Sequence, residues 1–340
     1  FVADTVSNRV LGYSIGVDLA GGGIIEKETL GQQDFTSSTS GLSDFEMSGP
    51  KAVAIDLVNR QLFVADTGNN RVMVFNITDG ATTGMVALYV IGQPSAFDNT
   101  AGTSQALLSQ PTGLDYDHGS NVLYIADTGN NRVIVTDGDQ GFQVGGLIGE
   151  SGMSFSYVIG QTDFNTATSG LSATKFSAPQ GVDVNTNGDI LVTDTGNNRV
   201  LEFAGNIAAN GNSATQVIGQ VNVTLGTSGL TDSTLNAPTS AVWDYSRGLL
   251  YVSDTGNNRI LAYDVAGGVF DGMSATFVIG QSNFTSGSAA VAQDRVSAPA
   301  SVVTLDIVDE VGGSTFDAGA RENIWVSDSG NNRVLIFDYE

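Results

Sequence analysis

The sequence predicts an all-β chain: a six-bladed β-propeller of four-stranded antiparallel blades, forming one domain over residues 1–340. Three observations carry this expectation. Asp66-Thr67-Gly68-Asn69-Asn70-Arg71 recurs as a six-residue unit beginning also at Asp4, Asp127, Asp194, Asp254 and Asp328. A Gly-Gln pair follows each of the first five units at Gly31, Gly92, Gly160, Gly219 and Gly280, and a proline stands 19 positions after each glycine, at Pro50, Pro111, Pro179, Pro238 and Pro299. A period of about 60 residues means an array of one supersecondary unit, and four-stranded units repeated around an axis make a propeller.

Within each unit the elements follow in order. The first strand (a) begins after the proline, where a missing N–H is tolerated. Strands b and c flank the six-residue motif: Leu123-Tyr124-Ile125-Ala126 before Asp127, and Val133-Ile134-Val135 after Arg132. Both are apolar at consecutive positions, the pattern of strands buried on both faces. Gly-Asn-Asn between them is turn chemistry, because Gly and Asn tolerate positive φ. Strand d ends at Gly-Gln. The first motif carries Val6-Ser7 in place of Gly-Asn, so its turn is expected to differ most.

In an antiparallel blade the b–c turn and the d-to-a connection share one face, and the a–b and c–d connections share the other. The 19-residue connection has constant length, so it is expected to be a packed segment, with Ser-Gly-Leu (Ser40-Gly41-Leu42, Ser169-Gly170-Leu171, Ser228-Gly229-Leu230) supplying a turn and a buried anchor. The longest insertions, Asp137 to Met153 and Glu310 to Asn323, fall on the other face, where loops tolerate variation. Blade 1 lacks an a strand and blade 6 lacks a d strand. By the internal ruler, about 35 residues before Asp4 would hold the missing strands, so they are expected upstream of Phe1 in a longer parent; alternatively a neighbouring molecule pairs with each open edge.

The residues then resemble NHL-repeat propellers. Pro179-Gln180-Gly181-Val182-Asp183-Val184 followed by Ile190-Leu191-Val192-Thr193-Asp194-Thr195-Gly196-Asn197-Asn198-Arg199-Val200 are similar to that repeat almost throughout, and the likeness extends over essentially the whole chain. The resemblance implies a six-bladed propeller that serves as an interaction platform. Some six-bladed relatives are hydrolases or lyases that use calcium or zinc in the central channel.

Composition restricts the function. The chain has 36 acids against 13 bases, a formal net charge of −23; without the six repeat Asp and six repeat Arg, 30 acids stand against 7 bases. Such a surface repels phosphate backbones, so nucleic acid is not an expected partner. No apolar run approaches the length of about 20 residues that spans a bilayer, so membrane insertion is not expected. The chain has no cysteine and one histidine, His118. Neither a three-histidine nor a cysteine-bearing zinc site can be assembled from that set. A Ser-His-Asp triad would need His118 itself, which stands in an a–b turn beside Asp117 and reads as an exposed turn residue.

The recurrent pairs Asp4/Arg9, Asp66/Arg71, Asp127/Arg132, Asp194/Arg199, Asp254/Arg259 and Asp328/Arg333 read as architecture, the Asp accepting turn amides and the Arg pairing with an acid. A catalytic site needs asymmetry, and these residues are the same in every blade. Asymmetry does appear four positions after the repeat proline, where Ala54, Val242 and Val303 are replaced by Asp115 and Asp183 in blades 3 and 4. Two carboxylates there could hold Ca2+, which prefers oxygen ligands; the plainer reading is backbone capping. Asp137-Gly138-Asp139-Gln140-Gly141 has part of a calcium-loop rhythm and reads as an ordinary turn. Asn76-Ile77-Thr78, Asn222-Val223-Thr224 and Asn283-Phe284-Thr285 fit the N-glycosylation pattern, as about this many triplets would by chance in a chain so rich in Asn, Ser and Thr.

The expected function is a non-enzymatic, secreted or cell-surface binding or scaffold module that meets a protein partner or assembles with itself, with no cofactor. Two alternatives stand beside it: a Ca2+-dependent channel-site hydrolase or lyase, and the sensor domain of a larger surface protein.

Overall fold

Each Asp-to-Arg motif closes a hairpin. In blade 2, strand b (Gln61–Asp66) and strand c (Arg71–Asn76) pair antiparallel from Gln61↔Asn76 to Asp66↔Arg71. Between them Thr67–Asn69 form one 3-10 turn, and Asn70 ends it in the left-handed region at φ 52°. The same left-handed asparagine recurs at Asn8, Asn131, Asn198, Asn258 and Asn332, each at φ 52°. Asparagine suits this position because it populates the left-handed region more readily than most residues. The first motif therefore makes the same kind of turn despite Val6-Ser7: Asn8 N–H donates to Thr5 O at 3.3 Å, as Asn70 N–H does to Thr67 O at 3.2 Å.

The computed structural model describes residues 1–14, 25–136, 153–205, 207, 209–304 and 323–338. They form an all-β, six-bladed propeller whose blades are antiparallel sheets in the order a-b-c-d. Blades 2 to 5 have four strands; blade 1 has b, c and d, and blade 6 has a, b and c. The chain divides into two units. Unit 1 comprises Phe1–Ser169, Thr186–Gly188 and Asn206–Asn212; unit 2 comprises Gly170–Asn185, Asp189–Gly205 and Ser213–Glu340.

Unit 1 holds blade 1 (Val2–Asp4, Arg9–Ser14, Ile25–Leu30), blade 2 (Val53–Asp56, Gln61–Asp66, Arg71–Asn76, Tyr89–Ile91) and blade 3 (Pro111–Asp117, Val122–Asp127, Arg132–Val135, Tyr157–Ile159). Its apolar core fills the gaps between adjacent blades. Val10, Leu30, Leu62, Val64, Met73 and Phe75 pack blade 1 on blade 2, and Phe63, Val72, Val74, Leu123 and Ile125 help pack blade 2 on blade 3. Unit 2 holds blade 4 (Gly181–Val184, Ile190–Asp194, Arg199–Phe203, Gln216–Ile218), blade 5 (Ser240–Asp244, Leu249–Asp254, Arg259–Asp264, Phe277–Ile279) and blade 6 (Pro299–Thr304, Asn323–Asp328, Arg333–Asp338). Leu191, Val200, Ile218, Leu250 and Val252 belong to the first of its cores, and Tyr251, Ile260, Val302 and Val326 to the second. The two-sided apolar runs of strands b and c are thus explained: one side chain packs on the preceding blade and the next on the following blade.

The anchor of the 19-residue connection differs from expectation. Leu171 is exposed, and Leu42 and Leu230 are only half-buried. The buried anchor stands three positions before the proline instead: Met47, Leu108, Phe176, Leu235 and Val296, each fully buried. At Gly92, with φ +84°, an added Cβ would lie 2.4 Å from the Leu108 side chain. Gly31, Gly219 and Gly280 stand in the same way over Met47, Leu235 and Val296. The Gly of Gly-Gln is therefore required twice, by its backbone conformation and by the side chain beneath it.

The c–d connection also has an ordered end. A glycine stands eight positions before the Gly-Gln glycine at Gly84, Gly152, Gly211 and Gly272. Gly84 N–H donates to Thr29 O while Thr83 Oγ1 accepts from Thr29 N–H, on the outer strand of blade 1. Asn210 and Gly211 do the same to Val158 of blade 3, and Asp271 and Gly272 to Val217 of blade 4. Each latch covers the exposed edge of the preceding blade, a site that would otherwise pair with another chain. Gly152 lies outside the described residues, as do the insertion 137–152, the Asp137 to Gly141 turn and residues 310–322.

Candidate functional site

The polar residues of the repeat are brought together at the b–c turn, and in blade 2 each of the six has a partner there. In blade 2 the carboxylate of Asp66 accepts from Ser48 N–H at Oδ1 (2.6 Å), and from Asn69 Nδ2 (2.8 Å) and Arg71 Nε (2.7 Å) at Oδ2. Thr67 Oγ1 donates to Pro111 O at 2.6 Å, at the first strand of the next blade. Gly68 N–H donates to Ser48 O at 2.8 Å, and a Cβ there would meet Ser48 Oγ at 2.5 Å. Asn69 Nδ2 also donates to Gly41 O at 2.8 Å. Asn70 reaches forward: its Nδ2 donates to Asn99 O at 2.9 Å and its Oδ1 accepts from Gln110 N–H at 2.8 Å.

Arg71 joins the two sides. Its Nη2 donates to Ser43 O (2.9 Å) and Glu46 O (2.8 Å) in the connection that leads into blade 2, and its Nη1 donates to Ala96 O (2.5 Å) in the connection that leaves it. Gln93 of the Gly-Gln pair completes the cluster, its Nε2 donating to Asn70 O and Thr100 O. Blade 3 repeats the arrangement through Asp127 and Arg132, whose Nη1 donates to Phe164 O and Nη2 to Leu107 O. In unit 2, Arg199 bonds Asp194, Ser172 O, Lys175 O and Val223 O. Arg259 likewise bonds Asp254, Thr231 O, Thr234 O and Phe284 O.

The four middle pairs, Asp66–Arg71, Asp127–Arg132, Asp194–Arg199 and Asp254–Arg259, are closed to solvent on both partners. Burial pushes these four carboxyls above the ordinary carboxylate range, while the arginine, a backbone N–H and the asparagine amide pull against it. The outer pairs are less complete. Arg9 bonds Asp4 and Phe35 O and is 16% exposed; Arg333 bonds Asp328, Ala292 O and Arg295 O and is 28% exposed. Each of these two arginines holds a connection on one side only among the described residues.

Asp115 and Asp183 occupy equivalent positions on strand a of blades 3 and 4, one in each unit. Asp115 Oδ1 accepts from Tyr116 N–H at 2.9 Å. Asp183 Oδ2 accepts from Trp243 N–H of the next blade at 3.0 Å, and Thr304 Oγ1 in turn donates to Trp243 O at 3.3 Å. Asp183 thereby ties the inner strands of unit 2 together. Among the described residues no three His, Cys, Asp or Glu side chains are grouped to hold a metal ion. His118 is exposed at the a–b turn of blade 3, with its ring edge-on to Tyr116. Among the described residues no helix is long and apolar enough to cross a membrane.

The sequence reading missed the roles of the second Asn, the Gly-Gln glutamine and the latch glycine. Their recurrence was visible, but their partners stand roughly 20 to 55 positions away in the chain.

Comparison with known proteins agrees with this geometry. The NHL repeat family matches residues 108–135 and 176–203, the hairpin segments of blades 3 and 4 together with the approach to each. Human NHL repeat-containing protein 2 is 29% identical over 147 residues, covering 41% of this chain and 18% of the human protein's length. The periplasmic gluconolactonase of Pseudomonas aeruginosa is 14% identical, with a TM-score of 0.53 over 98% of this chain and 73% of that one, a likeness of fold alone. Virginiamycin B lyase of Staphylococcus aureus is 12% identical, with a TM-score of 0.45 over 98% of this chain and 78% of that one. The chain is a six-bladed β-propeller in which two repeat segments, in blades 3 and 4, match the NHL repeat family.

Proposed function

We propose that this propeller is a non-enzymatic binding or scaffold module, secreted or displayed at a cell surface, that meets a protein partner through the loops opposite the motif turns. The observation that carries the reading is a set of exposed apolar residues in the two connections at one end of blade 2. Leu57 and Val58 in the a–b turn are 59% and 74% exposed, and Val86 and Leu88 in the c–d connection are 56% and 52% exposed. Both connections emerge at the same end of the blade. Large apolar side chains exposed on one face of a protein are the groups that a protein partner can cover. The repeat's polar groups, by contrast, are occupied in holding the blades together, and NHL propellers commonly mediate protein interactions. The net charge of −23 favours a partner with a basic rim around its own apolar contact.

A photoreactive amino acid placed at Val58, in cells that make this protein, tests the reading. A discrete protein crosslink is expected from Val58 and not from Val6, which is even more exposed, on the motif face. The same pattern from both positions would overturn the proposal. A calcium-dependent activity would show itself separately, as Ca2+-binding heat that disappears in Asp183→Asn.

A further inference from the structure

We infer that Asn222 and Asn283 are acceptor sites for N-linked oligosaccharide; this rests on the extracellular reading above. Both stand two positions after the Gly-Gln glutamine, at the same turn of successive connections. Asn222 Oδ1 accepts from Thr224 N–H (3.0 Å) and Thr224 Oγ1 (2.7 Å). Asn283 Oδ1 accepts from Thr285 N–H and Thr285 Oγ1, both at 2.9 Å. Asp34 holds the equivalent turn of blade 1 through one oxygen, accepting from Thr36 N–H (2.8 Å), Thr36 Oγ1 (2.7 Å) and Ser37 N–H (2.7 Å).

The turn therefore needs a single acceptor oxygen, which Asp supplies as well as Asn. What Asn adds is the amide nitrogen. At Asn222 that nitrogen donates to nothing among the described residues, and the side chain is exposed. At Asn283 its one contact is Ser282 Oγ at 3.5 Å, at the outer limit of a hydrogen bond. Among the described residues neither nitrogen holds another segment in place, and each stands beside a threonine at the position that the modification requires.

A second observation concerns the surroundings of Asn222. Val221 is 67% exposed, Leu225 40% and Leu171 42%, and Leu171 reaches across to the backbone at Gly226. A sugar on Asn222 would cover these apolar groups. Asn76 makes the same bonds to Thr78 (2.9 and 2.7 Å) but differs in its surroundings. It ends strand c of blade 2, is only half-buried, and is followed by Ile77, whose N–H is bonded to Arg60 O at 2.8 Å. A glycan there has less room.

The transfer joins Asn Nδ2 to C1 of the first sugar. It breaks the C1–O bond to a polyprenyl diphosphate carrier, releases that diphosphate, and gives the Nδ2 proton to a base of the transferase. The test is to direct the full chain into the secretory pathway of a eukaryotic cell and map glycans in both the medium and the retained pool, using peptide N-glycosidase in 18O water. Conversion to 18O-labelled Asp is expected at 222 and 283, with at least twofold lower occupancy at 76. Asn222→Asp should remove one glycan, and in chains produced in bacteria without glycosylation it should leave the melting temperature unchanged, because Asp makes the same turn bonds. An unlabelled Asn222 and Asn283 in both pools, or occupancy at Asn76 equal to theirs, would overturn the inference. Failure to reach the medium with both sites labelled would count against the extracellular reading instead.

Discussion

At the scale of single residues, burial separates the six Asp–Arg pairs that look alike in sequence. Arg71 is closed to solvent and bonds a carboxylate and three carbonyls drawn from two connections. Removing it leaves Asp66 as an uncompensated buried charge, so Arg71→Ala should cost about 3–5 kcal/mol in equilibrium unfolding. Arg9→Ala should cost about 1 kcal/mol, because that pair is partly solvated and, among the described residues, holds one connection only. Equal losses at the two positions would contradict the clamp described here. A different carboxylate sets the pH response of the surface turns. Three donors around Asp34 pull its carboxyl down to about 2 from an ordinary 3.8. A depressed folded value means that the turn is stabilised above the unfolded value and loses that support as pH falls through about 2. NMR titration of the Asp34 carboxyl should show its midpoint near there, and Asp34→Asn should keep the turn without the pH dependence.

At the scale of elements, the constant connection and the latch carry separate predictions. Gly92 combines a φ of +84° with a side chain pressed against it from below. Gly92→Ala should destabilise by about 3 kcal/mol, the sum of left-handed strain and overpacking. Gly80, with φ +88° and nothing near its missing Cβ, should lose only the strain part, about 1–2 kcal/mol, when changed to Ala. The latch predicts a local effect. Asp271 Oδ1 holds Val217 N–H at 2.8 Å. In Asp271→Ala that amide should exchange with solvent at least tenfold faster, while the amide of Val158, held by Asn210, is unchanged. The sequence showed the latch glycine at a constant offset, but the flanking loop varies in length and hid it. The connection's anchor was misplaced for a related reason. Ser-Gly-Leu is conspicuous as a string, whereas Met47, Leu108, Phe176, Leu235 and Val296 share only bulk and position.

At the scale of the whole molecule, charge and surface character decide behaviour. With 36 acids against 13 bases, and the middle four repeat arginines buried against their aspartates, the exposed surface repels itself. Raising NaCl from 0.01 M to 0.2 M shortens the Debye length from about 30 Å to under 10 Å and should raise the melting temperature. A melting temperature indifferent to salt would mean that the acids are locally compensated. The exposed apolar residues in the a–b and c–d connections of blade 2 are not covered by the fold, which is why the proposed binding role is assigned to them.

The sequence by itself determined the period, the hairpins, the strand order within each blade and the propeller, because turn conformation and apolar alternation are local requirements that each repeat states again. It also showed that the motif is shared by all blades and is therefore unsuited to a single active site. Tertiary structure alone decided which partner each repeated side chain meets. Asn70 finds Gln110, Arg71 finds Ser43 and Ala96, and Asp183 finds Trp243, across separations of 25 to 60 residues. Those separations differ with loop length, and a hydrogen bond depends on where two groups meet in space. Exposure was decided at the same level: Asn222 and Asn76 sit in the same three-residue pattern, and only the packing around them distinguishes an outward amide from one at the end of a buried strand.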